Sequence, residues 1–185
     1  MWYDKFMEIL LILIGISVPI AFYVWRESRH NNPASRWPEL ADLVEFQFSP
    51  NPPTLTGRWK NRHMTFTASE NEVVLSTPLQ CRTNIRLEIG PKAEVEQAAG
   101  MVVPDRVEFN DSAFEARYMV RSTPLEIGET AVDPSMRQHL MQLPELRAMA
   151  LHNKVDIRLP GLTEASQTRA YCDIAAALAD SVDGR

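Results

Sequence analysis

An uncharged apolar run near the N-terminus constrains this chain more than any other feature. The run is ILLILIGISVPIAFYVW, seventeen residues from Ile9 to Trp25. At about 1.5 Å of rise per helical residue it covers roughly 25 Å, and Phe6 and Met7 extend it toward the ~30 Å hydrocarbon core of a bilayer. A helix that is apolar on all sides is typical of a membrane span rather than of a globular core.

A cleaved signal peptide is the alternative interpretation of this run. Such a peptide has a basic start, a shorter apolar segment and a small-residue cleavage site. Here Asp4, Lys5 and Glu8 precede the run, and the polar residues 26–29 follow it without a cleavage pattern. The sequence therefore predicts one uncleaved transmembrane anchor over residues 1–27.

Three small residues lie close together on the predicted helix. Ser17 and Ala21 form a small-xxx-small pair, and Gly15 precedes Ser17 by two residues. Small side chains let two helix backbones approach closely, so Gly15, Ser17 and Ala21 are a candidate packing face for a second membrane helix. The alternative is that they reflect only the ordinary abundance of small residues in membrane helices.

Basic residues are more frequent after the predicted helix than before it. Arg26, Arg29 and Arg36 follow it closely, whereas Lys5 alone precedes it. Because basic flanks stay on the cytoplasmic side, we expect the N-terminus outside and the C-terminal body in the cytoplasm. The predicted location is the cell inner membrane, which the chain crosses once.

The remainder of the chain has the size of one domain. Residues 28–36 are polar and contain a proline, which predicts a linker, and residues 37–185 match the length of an ordinary domain. The chain has a formal net charge of −5, which does not favour nucleic acid as a partner.

Hydrophobic periodicity in this body predicts short strands joined by tight turns, with helices at its start, middle and end. Within the terminal helix, Ala170, Ile174, Ala177 and Leu178 are the predicted buried stripe. The expected fold class is α+β with one antiparallel sheet and a C-terminal helix. In chain order, the predicted elements are a helix starting at Pro38, a hairpin over 55–67, a strand over 83–89, a strand over 114–121, a helix capped by Asp133, a hairpin over 146–159 and a helix over 163–181.

No motif for catalysis or for metal or cofactor binding stands out. The two cysteines, Cys81 and Cys172, are far apart and lack C-x-x-C spacing, which is typical of buried thiols in a reducing compartment. No second histidine or cysteine follows any histidine at three or four residues, and the glycines form no nucleotide-binding motif. We therefore predict no catalytic residue, no metal ligand and no cofactor.

A basic and aromatic cluster, RWKNRH, lies at the turn of the first predicted hairpin in an otherwise acidic body. Such a hairpin tip can contact lipid head groups or an acidic partner subunit. The alternative is an ordinary solvated turn. Together with the stem after the membrane helix, the candidate membrane-proximal or partner contacts are Arg26, Arg29, Arg58, Trp59 and Arg62.

Five motifs in the body occur in a characteristic order, at Pro38 to Ala41, Leu55 to His63, Arg82 to Leu87, Phe114 to Ser122 and Leu159 to Leu162. Their order resembles that of a group of uncharacterised bacterial proteins with an N-terminal membrane helix. The resemblance spans most of residues 37–182 and implies a membrane-anchored cytoplasmic α+β domain. It implies no particular activity.

These observations favour a non-catalytic, single-pass accessory or scaffold subunit of a larger bacterial membrane complex, respiratory or photosynthetic, for example one associated with a reaction centre. Its expected partners are the lipid bilayer and other membrane-protein subunits. The alternative is a membrane-tethered ligand-binding domain or enzyme with a pocket on the face of the sheet.

Overall fold

The computed structural model describes residues 34–69, 72–80, 84–97, 103–143 and 145–184. The predicted membrane anchor, its packing face and the stem arginines Arg26 and Arg29 lie outside these residues. In the part of the chain that is described, no helix combines the length and apolarity needed to cross a membrane.

The described residues form one sheet flanked by helices. The strands are β1 (Gln47–Pro50), β2 (Pro53–Trp59), β3 (Arg62–Ala68), β4 (Val73–Pro78), β5 (Arg86–Pro91), β6 (Asp105–Arg106), β7 (Tyr118–Thr123), β8 (Arg147–Leu151) and β9 (Lys154–Leu159). The helices are α1 (Trp37–Val44), α2 (Lys92–Gln97), α3 (Ser112–Arg117), α4 (Leu125–Ala131), α5 (Pro134–Gln142) and α6 (Ala165–Val182).

Every described strand pair is antiparallel, in the order β1-β2-β3-β4-β9-β8-β5-β7-β6. The hairpin β8–β9, made late in the chain, therefore lies between β4 and β5. Helices α1, α4 and α6 pack on one face of the sheet, and α2 lies on the other. The predicted α+β class, with one antiparallel sheet and a C-terminal helix, is confirmed.

The C-terminal helix α6 buries a wider stripe than the one predicted. Ile174 and Leu178 are buried as predicted, but Ala177 is exposed and Ala170 is only partly buried. The helix packs against both the sheet and the neighbouring helices α1 and α4, so its buried surface is broad and centred elsewhere. The buried positions of α6 are Thr168, Tyr171, Cys172, Ile174, Ala175, Ala176, Leu178, Ala179 and Val182.

The strand predicted over 114–121 is wrong in its first half. Helix α3 occupies that part of the segment, and strand β7 begins only at Tyr118. Asp111 caps the helix, because its carboxylate accepts a hydrogen bond from the Phe114 backbone N–H at 3.1 Å. The Phe114 ring then stacks on that of Tyr118, with centroids 5.4 Å apart. Local capping and ring packing outweigh the alternating pattern here.

Other local predictions are confirmed. Asp133 caps α5 by accepting a hydrogen bond from the Met136 backbone N–H at 2.7 Å. Both predicted hairpins form, as β2–β3 and β8–β9. Cys172 is buried in α6, and this burial raises the pKa of its thiol to about 12, so the thiol is unreactive near neutral pH.

Candidate functional site

The turn of hairpin β2–β3 fixes how the basic cluster is presented. Its two loop residues, Lys60 and Asn61, have φ angles of 46° and 65°. Two consecutive positive φ angles in a two-residue loop are typical of a type I′ turn, whose twist matches that of the strands. The turn places Trp59 opposite Arg62.

The pleat of the hairpin divides the cluster into two sets. Trp59 pairs with Arg62, and Arg58 pairs with His63. Because successive side chains of a strand point to opposite faces, each pair shares one face of the sheet. Trp59 and Arg62 lie on the face covered by α6, whereas Arg58 and His63 lie on the opposite face.

On the covered face, the hairpin is bound to α6 by polar contacts. The Trp59 indole Nε1 donates a hydrogen bond to Asp173 Oδ1 at 2.8 Å, and Lys60 Nζ lies 2.8 Å from the same oxygen. Burial alone would raise the pKa of Asp173, but the hydrogen bonds from Lys60 and Trp59 outweigh it and hold this pKa below its usual value.

The Arg62 side chain is buried and forms ion pairs within the chain. Its side chain is 3% exposed and lies 2.7 Å from Asp180 Oδ1 and 2.6 Å from Asp183 Oδ2. Burial would lower the pKa of Arg62, yet the hydrogen bonds with these carboxylates leave it raised. A guanidinium in this position holds the C-terminal end of α6 against the sheet. It is not presented to a partner, so we do not include Arg62 in the candidate site.

Arg58 has a different environment. Its side chain is exposed and makes no hydrogen bond or ion pair with the described residues. A cleft of about 630 Å³ opens beside it, between the end of α1, strand β2 and the start of α6. Its walls include Leu43, Gln47, Thr56, Arg58, Trp59 and Arg169. We call this the hairpin cleft.

The hairpin cleft exists because β1 is shorter than β2. Glu45 ends α1 in the left-handed conformation, with φ of 60°. Pairing of β1 with β2 then begins only at Gln47 and Thr56, and β2 continues to Trp59. At Gly57 an added Cβ atom would overlap the Phe46 ring, so glycine is needed for this ring to cover the strand.

The walls of the hairpin cleft differ in character. Leu43 is an exposed large apolar residue, 57% accessible, and Trp59 also contributes to the lining. Arg58, His63 and Arg169 supply basic groups, and Glu45 is the acidic residue of the lining. Arg169 Nη2 donates a hydrogen bond to the Leu43 carbonyl at 2.7 Å, which fixes the end of α1 against α6.

Another cavity lies on the face of the sheet opposite α6. It has a volume of about 300 Å³ and is lined by Val74, Arg147, Met149, Asp156 and Arg158. Three of these five side chains are charged, so its lining is not predominantly apolar. Among the described residues, no cluster of three or more histidine, cysteine or acidic side chains has a geometry suited to a metal ion.

The Asp173 contacts predict a dependence of stability on pH. A carboxylate with a lowered pKa stabilises the fold above its unfolded pKa of about 3.9, and this contribution is lost as pH falls through the lower folded value. Asp173 is 42% exposed, so we expect Asp173→Asn to reduce stability at pH 7 by at most about 1 kcal/mol. The difference from the parent chain should shrink below about pH 4. Urea titrations of both chains from pH 7 to pH 2.5 would measure it, and a pH-independent difference would contradict the assignment.

No protein-family model and no curated protein matches this chain. Its fold is similar to that in the crystal structure of the mycobacterial trehalose monomycolate transport factor A, TtfA. The TM-score is 0.58 at 13% sequence identity, over 81% of this chain and 94% of that one. At this identity the similarity shows a shared fold.

Proposed function

We propose that this chain is a non-catalytic accessory subunit that one N-terminal helix anchors in the membrane and that docks onto a larger membrane protein complex. The observation that carries the proposal is the hairpin cleft. It joins an exposed apolar side chain, Leu43, to an arginine, Arg58, that has no ion-pair partner in the described part of the chain. Exposed apolar groups rimmed by polar ones are typical of interaction sites.

The sequence supports the membrane part of this proposal. The apolar run Ile9 to Trp25 has the length of a membrane span, and Gly15, Ser17 and Ala21 are the candidate packing face for a partner helix. The structural neighbour TtfA is a transport factor. Transport complexes therefore join respiratory and photosynthetic complexes as assemblies in which to look for this chain.

Detergent extraction of the tagged full chain from its native membrane, followed by native electrophoresis, tests the proposal. We expect migration with a complex far larger than the 21.0 kDa chain. Migration as a free species in every mild detergent, or full release from membranes by salt alone, would contradict it. Mass spectrometry of the co-purified proteins would identify the complex.

Two sets of variants separate the contributions of the anchor and the body. Ser17→Leu with Ala21→Leu should weaken co-purification at all salt concentrations, because bulky residues keep helix backbones apart. Arg58→Glu should weaken it chiefly at low salt, since exposed charge pairs are screened over about 8 Å at physiological ionic strength. Arg147→Glu is the matched control on the same sheet face, outside the hairpin cleft. Unchanged co-purification of both sets would place the contact elsewhere.

A further inference from the structure

We propose that the hairpin cleft binds an extended segment of a partner protein in which an acidic residue is directly flanked by apolar residues. This inference rests on the proposed function, because it names the chemistry of the partner at that site.

The backbone of Arg58 is available for pairing with a strand. Trp59 and Arg62 flank the two-residue turn and therefore exchange backbone hydrogen bonds. The alternation of an antiparallel ladder then directs the N–H and C=O of Arg58 away from β3. On that side, pairing of the described strands stops at Gln47 and Thr56, so nothing in the described sheet covers Arg58. An open strand edge is a template for an added segment.

The basic groups on the sheet face opposite α6 indicate that the bound segment has an acidic residue. The partner residue opposite Arg58 places its side chain on the same face as Arg58 and His63. An opposite charge stabilises such a cross-strand pair. The chain as a whole has a net charge of −5, whereas the lining has two arginines and one acidic residue, Glu45. The cleft is therefore a local basic site on an acidic protein, suited to a carboxylate.

The opposite face of the bound segment indicates that the residues next to the acidic one are apolar. Residues next to the acidic one point toward α1 and α6, where Leu43 and Trp59 form the wall of the cleft. Covering Leu43, which is 57% exposed, would remove apolar surface from water. A lipid head group offers neither a backbone to pair with Arg58 nor this alternation, so the geometry favours a protein segment.

Site-specific crosslinking in native membranes tests the proposal on the full chain. A photoreactive phenylalanine replaces Leu43, and crosslinked peptides are sequenced by mass spectrometry. We expect peptides of one partner with an acidic residue beside an apolar one, at a yield that falls about two- to fivefold in Arg58→Gln and stays unchanged in Arg147→Gln. Crosslinks to lipid alone, or to residues 1–33 of the same chain, would overturn the proposal.

Defined peptides provide the second measurement, with the full chain in nanodiscs of neutral lipid. Acetyl-Thr-Leu-Glu-Leu-Thr-amide should shift the NMR signals of the Arg58 and Trp59 side chains. The Glu-to-Gln peptide should bind about two- to fivefold more weakly, because it loses the charge pair. The reordered peptide acetyl-Leu-Thr-Glu-Thr-Leu-amide has the same charge and composition but places its leucines on the side of the carboxylate, and it should also bind more weakly. Equal binding of all three would overturn the proposal.

Vesicles of neutral phosphatidylcholine with and without phosphatidylserine distinguish a membrane surface from a protein segment. Binding that requires phosphatidylserine and Arg58, without any response to the peptides, would replace the protein partner with anionic lipid. Failure of the proposed function is separable from failure of this inference. A chain that migrates alone on native gels but binds the peptides as expected refutes only the proposed function. A chain that co-purifies with a complex independently of Arg58 and Leu43 refutes only the inference.

Discussion

Replacing Arg62 with methionine should lower the free energy of unfolding by about 3–5 kcal/mol. The reason is the carboxylate left behind. The Asp183 side chain is 1% exposed and lies 2.6 Å from the guanidinium, so without Arg62 this buried carboxylate loses a close ion pair and keeps the hydrogen bonds from the Gln80 backbone N–H. Asp180, which is more exposed, loses a contact of 2.7 Å. Removing one partner of a buried pair costs more than the pair contributes when intact, because desolvation of the remaining charge is no longer offset.

Chemical unfolding of the full chain in mild detergent, monitored by circular dichroism, would measure the change in the free energy of unfolding. Thermal unfolding monitored in the same way would measure the change in midpoint. The midpoint of thermal unfolding should fall by roughly 6–20 °C for a domain of this size. Arg58→Met is the matched control, since Arg58 lies on the same hairpin but is exposed, and its effect should stay within about 0.5 kcal/mol. Adding Asp183→Asn to Arg62→Met should recover part of the loss. A loss below about 1 kcal/mol for Arg62→Met alone would contradict the prediction.

Replacing Trp37 with alanine should also be strongly destabilising, by about 3–5 kcal/mol. Trp37 opens α1 and is 0% exposed, among the largest fully buried side chains described. Its removal leaves a large cavity between α1 and the rest of the core, and the surrounding backbone can close such a cavity only in part. Since α1 also forms one wall of the hairpin cleft, the substitution should lower peptide binding as well as stability.

Trp37→Phe is the variant to compare with Trp37→Ala. The Trp37 indole Nε1 is buried without an acceptor among the described residues, so phenylalanine keeps most of the apolar volume and removes an unpaired N–H. We expect a change within about 1.5 kcal/mol of the parent chain in urea titrations. If the phenylalanine variant were as unstable as the alanine variant, the indole N–H would have a partner essential to the fold.

Much of the local structure could be predicted because its causes are local. The hairpin β2–β3 follows from two alternating runs around Lys60 and Asn61, and the start of α5 from Asp133 followed by a proline. Such signals depend on residues two to four apart. They predict strands and caps without any knowledge of what the elements pack against.

The role of Arg62 could not be predicted in this way. Its contact with Asp180 joins residues 118 positions apart, and only the packing of α6 on the sheet brings them together. In the sequence, Arg62 and Arg58 are equivalent members of one basic cluster. The pleat separates them, so one stabilises the interior and the other lines the hairpin cleft. The buried stripe of α6 was misplaced for a similar reason, because its neighbours on two sides come from distant segments.

The position of hairpin β8–β9 in the middle of the sheet has a consequence for biosynthesis. A ribosome makes β4 and β5 long before residues 147–159, yet β9 pairs with β4 and β8 with β5. Until the hairpin emerges, the nascent chain contains two groups of strands that are not hydrogen-bonded to each other. Each group has an open edge of the kind that promotes aggregation. The complete sheet therefore cannot form until residues 147–159 have left the ribosome. Premature termination before residue 147 would leave a product that requires chaperones or is degraded.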